Sequence, residues 1–370
     1  MELQLDPATR KLLDTYGFDA ELFERLRRRM LAGELSVDAN RLRARIEPPT
    51  ASDVRALPEA GTDARRALAE RGAAAIRAGQ VGCAVLAGGM ATRFGGVVKA
   101  AAIALLGRTF LSLKLADIRR TAQTLGARVP VYLMSSFATH DVLTELAAQE
   151  QSDEMPIEVF PQFVSLRLEP GGALFVDQGK PSPYAPGHGD LTFALRRSGV
   201  LSRFLSGGGR VLTVSNVDNL GATFDPGVIG AHLAGEAQMT VEVASRAPGE
   251  PGGAPARVDG TLQIVEDFRF PKGFDLQSIA YFNTNTFVLD ASALDRDFPL
   301  TWFLVRKRVD GREAIQFEHL VGELSALLSC SFLLVPRDGD DGRFQPVKDP
   351  DELVLRAPRI ERILRARGVL

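Results

Sequence analysis

The stretch Leu86-Ala87-Gly88-Gly89-Met90-Ala91-Thr92-Arg93-Phe94-Gly95-Gly96-Val97-Val98-Lys99 decides how this chain is read. An apolar run, 81–87, breaks into glycines and then delivers an arginine and a lysine. A strand that ends this way leaves backbone N–H groups free and permits a polyphosphate to come close, with two cations at hand to neutralise it. The spacing fits neither of the common phosphate fingerprints. A G-x-G-x-x-G turn needs other glycine positions, and a Walker loop needs Lys-Ser or Lys-Thr directly after its last glycine.

Outward from this turn, short apolar runs alternate with helical patterns. Strands are expected at 83–87, 129–134, 157–160, 210–214, 239–244, 261–265, 280–289 and 331–336, with helices at 110–125, 139–149, 191–198, 226–234 and 312–328. Such alternation predicts an α/β fold with helices on both faces of a central sheet, and ligands bind beyond the carboxyl ends of the strands in such sheets. The Pro- and Gly-rich segment 247–260 reads as a surface loop. Residues 1–80 read as helical: Asp6-Pro7 is an N-cap with proline in the first turn, and Asp19 opens a second helix with Leu22, Phe23, Leu26 and Met30 on one face. The expected division is a helical segment 1–80, a catalytic domain 81–305 and a C-terminal segment 306–370.

The bulk numbers narrow the function. With 45% apolar and 24% charged residues and a net charge of -2, the balance predicts no electrostatic capture of nucleic acid or an anionic membrane, the basic clusters at 25–29 and 356–367 reading as solvated helix faces. No run approaches the ~20 apolar residues of a membrane span. Cys83 and Cys330 each lie in an apolar run, which predicts buried reduced thiols and a cytoplasmic setting. Nothing in the sequence fixes an oligomeric state.

Eight segments, met in order, make the chain resemble the UTP–glucose-1-phosphate uridylyltransferase (UDP-glucose pyrophosphorylase) family over roughly three quarters of its length. They are the glycine turn with Lys99; Arg108-Thr109-Phe110-Leu111 leading to Lys114; Met134-Ser135-Ser136-Phe137-Ala138-Thr139-His140; Phe160-Pro161-Gln162; Pro186-Gly187-His188-Gly189-Asp190; Asn216-Val217-Asp218-Asn219; Phe282-Asn283-Thr284-Asn285; and Arg343-Phe344-Gln345-Pro346-Val347-Lys348. The resemblance implies a nucleotidyltransferase (GT-A-like, Rossmann-type) mixed central sheet flanked by helices, and Mg²⁺-dependent transfer of a uridylyl group from UTP to glucose 1-phosphate. An attacking phosphate oxygen is already ionised, so the chemistry calls for positioned cations rather than a protein base or nucleophile.

Residue by residue, the resemblance implies that Arg93, Lys99 and Lys348 are the catalytic cations and Asp218 the metal ligand. Leu86, Ala87, Gly88, Gly89, Gln162 and Gly187 would hold the nucleotide, and His188, Asn216, Val217, Asn283, Thr284 and Asn285 the sugar phosphate. Asn283, Thr284 and Asn285 are expected to end an aromatic strand. Lys114 reads equally as a helix-end lysine, Asp190 as a helix N-cap, and Gln316 and Glu318 as a helix start. His140 has a structural reading, and His232 and His319 have no partners that suggest metal or triad use. The chain departs from the family pattern at Ala91 (usually Gly), Val98 (usually Pro) and Ser135 (commonly Asn). Arg93 is more typical of relatives that use N-acetylhexosamine, whereas Asn-x-Asp-Asn favours the glucose branch. The family's C-terminal β-helix is not expected after Lys348. A pyrophosphorylase for N-acetylglucosamine or galactose 1-phosphate, a non-catalytic nucleotide-sugar binder and a dinucleotide oxidoreductase are the alternatives; the last lacks its fingerprint.

Overall fold

The β-rich runs assemble one eight-stranded sheet: Val54–Ala56 (β1), Val81–Leu86 (β2), Val131–Ser135 (β3), Ile157–Pro161 (β4), Val211–Asn216 (β5), Met239–Ser245 (β6), Tyr281–Asp290 (β7) and Cys330–Leu334 (β8). The computed structural model describes residues 5–91 and 94–370. Across the sheet the strands run β1-β8-β6-β7-β5-β2-β3-β4. Strand β7 is antiparallel to both of its neighbours, and the remaining pairs are parallel. The period-two alternation of a strand assigns its residues to opposite faces. Cys83, Val85, Leu133 and Val211 pack on one face and Ala84, Leu86, Met134 and Leu212 on the other.

Helices cover both faces, as alternation of strands and helices requires. Residues of Asp63–Arg77 (α3), Phe110–Leu125 (α4), His140–Glu150 (α5), Pro226–Leu233 (α8) and Pro350–Ala366 (α9) join the first core, and those of Leu191–Arg197 (α6) and Val200–Ser206 (α7) the second. Pro7–Thr15 (α1) and Ala20–Leu31 (α2) begin where expected, the Asp6 carboxylate accepting from Ala8 and Thr9 N–H and Asp19 from Leu22 N–H. Their apolar faces, with Leu13, Phe23 and Leu26, pack on Val164, Leu166, Leu304, Ile315 and Phe317.

Three expectations are corrected. Residues 312–328 are a strand, Arg312–Glu318, followed by a 3₁₀ turn at Val321–Ala326, rather than a helix. The strand pairs antiparallel with Phe303–Val309 around Asp310-Gly311, both at positive φ (46° and 77°). Asp-Gly between β-rich runs is a strong hairpin signal, and it outweighs the local helical spacing. The same dipeptide at Asp259-Gly260 (φ 47° and 85°) turns five residues of the expected loop 247–260 into the strand Ala254–Val258, paired with Thr261–Val265. Its small buried residues, Ala254 and Ala256, conceal the alternation. Residues 1–80 are not wholly helical: Ile46–Glu47 pairs with Ala254–Val258, and β1 forms an edge of the main sheet.

Candidate active site

Strand register brings distant motifs to one edge. Asn216 pairs with Leu86, Leu86 with Met134, and Met134 with Phe160, a single row across four parallel strands. The residues that follow this row are the glycine turn, Val217 to Asn219, Ser135-Ser136 and Gln162. Because β7 runs the opposite way, its beginning lies at the same edge. Asn283, Thr284 and Asn285 therefore sit near the start of that strand, not at its end. Glu242 pairs with Thr286 but Val243 with Asn283, so Thr284 and Asn285 bulge out of the ladder. Asn285 takes φ 54°, and its side-chain amide donates to Asn216 Oδ1 at 3.1 Å.

The Lys99 ammonium and the Asp218 backbone meet at Val347, the residue before Lys348. Lys99 Nζ donates to the Val347 carbonyl at 2.6 Å, and Val347 N–H donates to the Asp218 carbonyl at 3.2 Å. Lys348 is next in the chain and exposed, its N–H bonded to Glu352 Oε2 at 2.7 Å. Lys99 is buried between the Phe94 and Phe110 rings, 4.1 and 4.9 Å from their centroids. Burial pushes the half-buried Asp218 carboxyl up, while Lys99 and Lys114 pull it the other way. Lys114 is fully enclosed rather than a helix-end lysine: its ammonium donates to the Asn219 and Ala222 carbonyls (2.8 and 2.7 Å) and pins the loop after β5. Burial lowers its pKa to about 8. Asn219 ties this loop to the C-terminal segment, donating to the Arg343 carbonyl and accepting from Gln345 N–H.

The side expected to hold the nucleotide is built around Gly88. A Cβ there would fall 2.3 Å from Gln162 Nε2, so only glycine lets that amide lie against the turn. Gln162 is buried, and its Oε1 has no hydrogen-bond partner among the described residues. Leu86 and Ala87 are buried, and Val217 N–H donates to the Leu86 carbonyl. Met90 pairs with Val98, and Lys99 N–H returns to the Gly89 carbonyl, which closes the loop. Arg93 lies outside the described residues.

The loop of Gly187 and His188 rests against His319, and here one expectation is overturned. The Asp190 side chain does not cap helix α6. It bonds His319 Nε2 through one oxygen and accepts Phe163 N–H through the other at 2.8 Å. His319 is thus half of a buried pair. His188 Nδ1 accepts Val321 N–H at 3.1 Å; burial and the nearby His319 ring lower its pKa to about 4, so a neutral ring presents an Nε2–H donor. His140 is structural, bonded to Ser135 Oγ at 2.9 Å and edge-on to Tyr16. His232 also has partners, Thr240 Oγ1 and Asp290. Gln316 is buried in the 312–318 strand, where it accepts from Arg167 and bonds Glu318.

Glu266 was not legible in the sequence. Its carboxyl lies against Gly253 and bonds the Asn283 side chain, and burial together with Asp267 pushes it up to about 7. A lone Glu after an ordinary strand carries no signal; only the fold brings it to Asn283.

A mixed sheet with a glycine turn, the Asn216–Asn219 loop and the 343–348 segment near its carboxyl edge is a nucleotidyltransferase-like fold. The fold is similar to a UDP-glucose pyrophosphorylase from Leishmania major (TM-score 0.74, 23% identity, covering 95% of this chain and 79% of that one). It is also similar to the uridine diphosphate N-acetylglucosamine pyrophosphorylase from Trypanosoma brucei (TM-score 0.77, 20% identity, 95% and 79%). By sequence the chain belongs to the UTP--glucose-1-phosphate uridylyltransferase family, which it matches over residues 20–360. Relatives bearing that name include one from Dictyostelium discoideum, numbered 2 (28% identity, 67% of this chain and 52% of that one), and one from Hordeum vulgare (28%, 67% and 55%). The chain spans about half the length of these curated relatives.

Proposed function

We propose that the protein transfers a uridylyl group from UTP to glucose 1-phosphate, giving UDP-glucose and pyrophosphate. The observation that supports this most is the meeting of Lys99 and Asp218 at Val347, directly before Lys348. In this reading a phosphate oxygen of the sugar phosphate attacks the α-phosphorus of UTP. The α–β bridging P–O bond breaks, and pyrophosphate leaves with the electron pair. No proton moves and no enzyme-bound intermediate forms, so the protein acts by positioning and by charge. Lys99 and Lys348 would flank the phosphates, with Arg93 as a third cation on the pyrophosphate. Gln162, held against Gly88 with an unused buried acceptor, suits an edge that both donates and accepts, as uracil does. Gly187 would lie on the base, and His188 would offer its Nε2–H to the sugar phosphate. Asn216, Asn283, Thr284 and Asn285 would face the sugar, with Glu266 behind Asn283.

The donor set fits Mg²⁺. Among the described residues no three His, Cys, Asp or Glu side chains form a cage, and a single carboxylate shared with substrate oxygens is a hard-cation arrangement. Asp218 would hold the ion, which when bound would offset phosphate charge. A reducing, cytoplasmic setting agrees with the free Cys83 and Cys330, and among the described residues no helix is long and apolar enough to cross a membrane. The test is a pyrophosphate-release assay crossing UTP, TTP and ATP with the 1-phosphates of glucose, galactose and N-acetylglucosamine. UTP with glucose 1-phosphate is expected to be the productive pair; no release from any pair overturns the reading.

A further inference from the structure

The Asp190–His319 pair lies outside the residues assigned above to substrate, yet it is fully enclosed. Asp190 is 1% and His319 3% exposed. The His319 ring is stacked between Trp302 (centroids 4.2 Å apart, 15° between planes) and Phe193 (5.9 Å, 16°), which fixes its plane. Its own backbone grips the loop of His188 at two points, His319 N–H to the Pro186 carbonyl and Gly189 N–H to the His319 carbonyl, both at 3.0 Å. A Cβ at Gly187 or Gly189 would fall 2.9 or 2.5 Å from that backbone. Two residues on, Val321 N–H bonds His188 Nδ1. The Asp190 carboxylate meanwhile reaches the other half of the site. It accepts the N–H of Phe163, the residue after Gln162, whose own N–H is held by the Ser135 carbonyl at 2.9 Å.

We propose that Asp190 and His319 form a positioning clamp that sets the separation of the Gln162 amide from the His188 loop and thereby the selectivity for the nucleobase. One carboxylate spans the two recognition elements, so neither can shift without breaking a charge-assisted hydrogen bond. The outer face of the pair lines a cavity of about 350 Å³ under α2, shared with Phe163, Phe193 and Trp302. The clamp therefore has room to relax when one partner is removed.

This inference rests on the proposed uridylyl transfer, and the test separates the two. Wild-type protein without pyrophosphate release from UTP defeats the function itself. If wild type is active, Asp190→Ala is expected to raise the KM for UTP about tenfold or more, the cost of losing a hydrogen bond to a charged group, with kcat changed less than about threefold. The UTP-over-CTP preference in kcat/KM is expected to fall by a similar factor. Asp190→Asn keeps an acceptor for Phe163 and should recover part of that preference. His319→Phe preserves the stacked ring and removes only the N–H, and it should behave like Asp190→Ala. Folded variants with an unchanged UTP-to-CTP ratio overturn the clamp. So does failure of all three variants to fold, which would make the pair a stability element only.

Discussion

Replacing Arg343 by methionine probes what holds the C-terminal segment against the loop of Asp218. The guanidinium meets the Glu242 carboxylate on two atoms, Nε to Oε2 at 2.6 Å and Nη2 to Oε1 at 2.7 Å, with both side chains at most 3% exposed. It also donates to Thr223 Oγ1 at 3.0 Å and lies 3.6 Å from Asp225, which is bonded to Arg65 at 2.6 Å. Taking the cation away leaves Glu242 charged or forced to protonate in a dry site, which costs about 3–5 kcal/mol of stability. Removing both partners by Arg343→Met with Glu242→Leu takes the unpaired charge away, and at least about half of the loss is expected to return. Denaturant melts of wild type, both single variants and the double variant form the cycle. A single-variant loss below about 1 kcal/mol, or a double variant as unstable as the summed singles, would refute the reasoning.

Asp218→Ala and Lys348→Ala should each cut turnover by more than about tenfold with the melting transition retained; unchanged rates would remove them from the chemistry. Gly88→Ala places a methyl on the Gln162 amide, so the KM for UTP should rise while sugar-phosphate binding changes little, as steady-state kinetics would read. His188 titrates near 4 when folded against about 6.5 when unfolded. Between those values the unfolded chain binds a proton that the folded one refuses, so stability falls as pH drops, by up to roughly 3 kcal/mol. His188→Gln should flatten that part of the pH–stability curve, and a parallel curve would contradict the assignment.

Seven of the eight strands were legible as apolar runs, with several quoted motifs just beyond their carboxyl ends, while the edge strand Val54–Ala56 was hidden in a segment read as helical. Lys99, Asp218 and Lys348 were legible only in motif context; Val347, which joins them, carries no chemical signal of its own. The helix expected at 312–328 fails because Asp310-Gly311 imposes a hairpin on a sequence with acceptable helical spacing. The Asp190–His319 pair was hidden by its 129-residue separation, since a proline-glycine turn and a distant histidine look unrelated until a hairpin brings them together. Thr284 and Asn285 leave their strand through a bulge that no alternation pattern announces.

A crystal structure of the protein with UTP and Mg²⁺ bound tests the central claim most directly. The account predicts the triphosphate between the Lys99 and Lys348 ammonium groups, the metal on Asp218 and the uracil edge on Gln162. A nucleotide seated away from these residues, or a triphosphate that touches neither lysine, would contradict it.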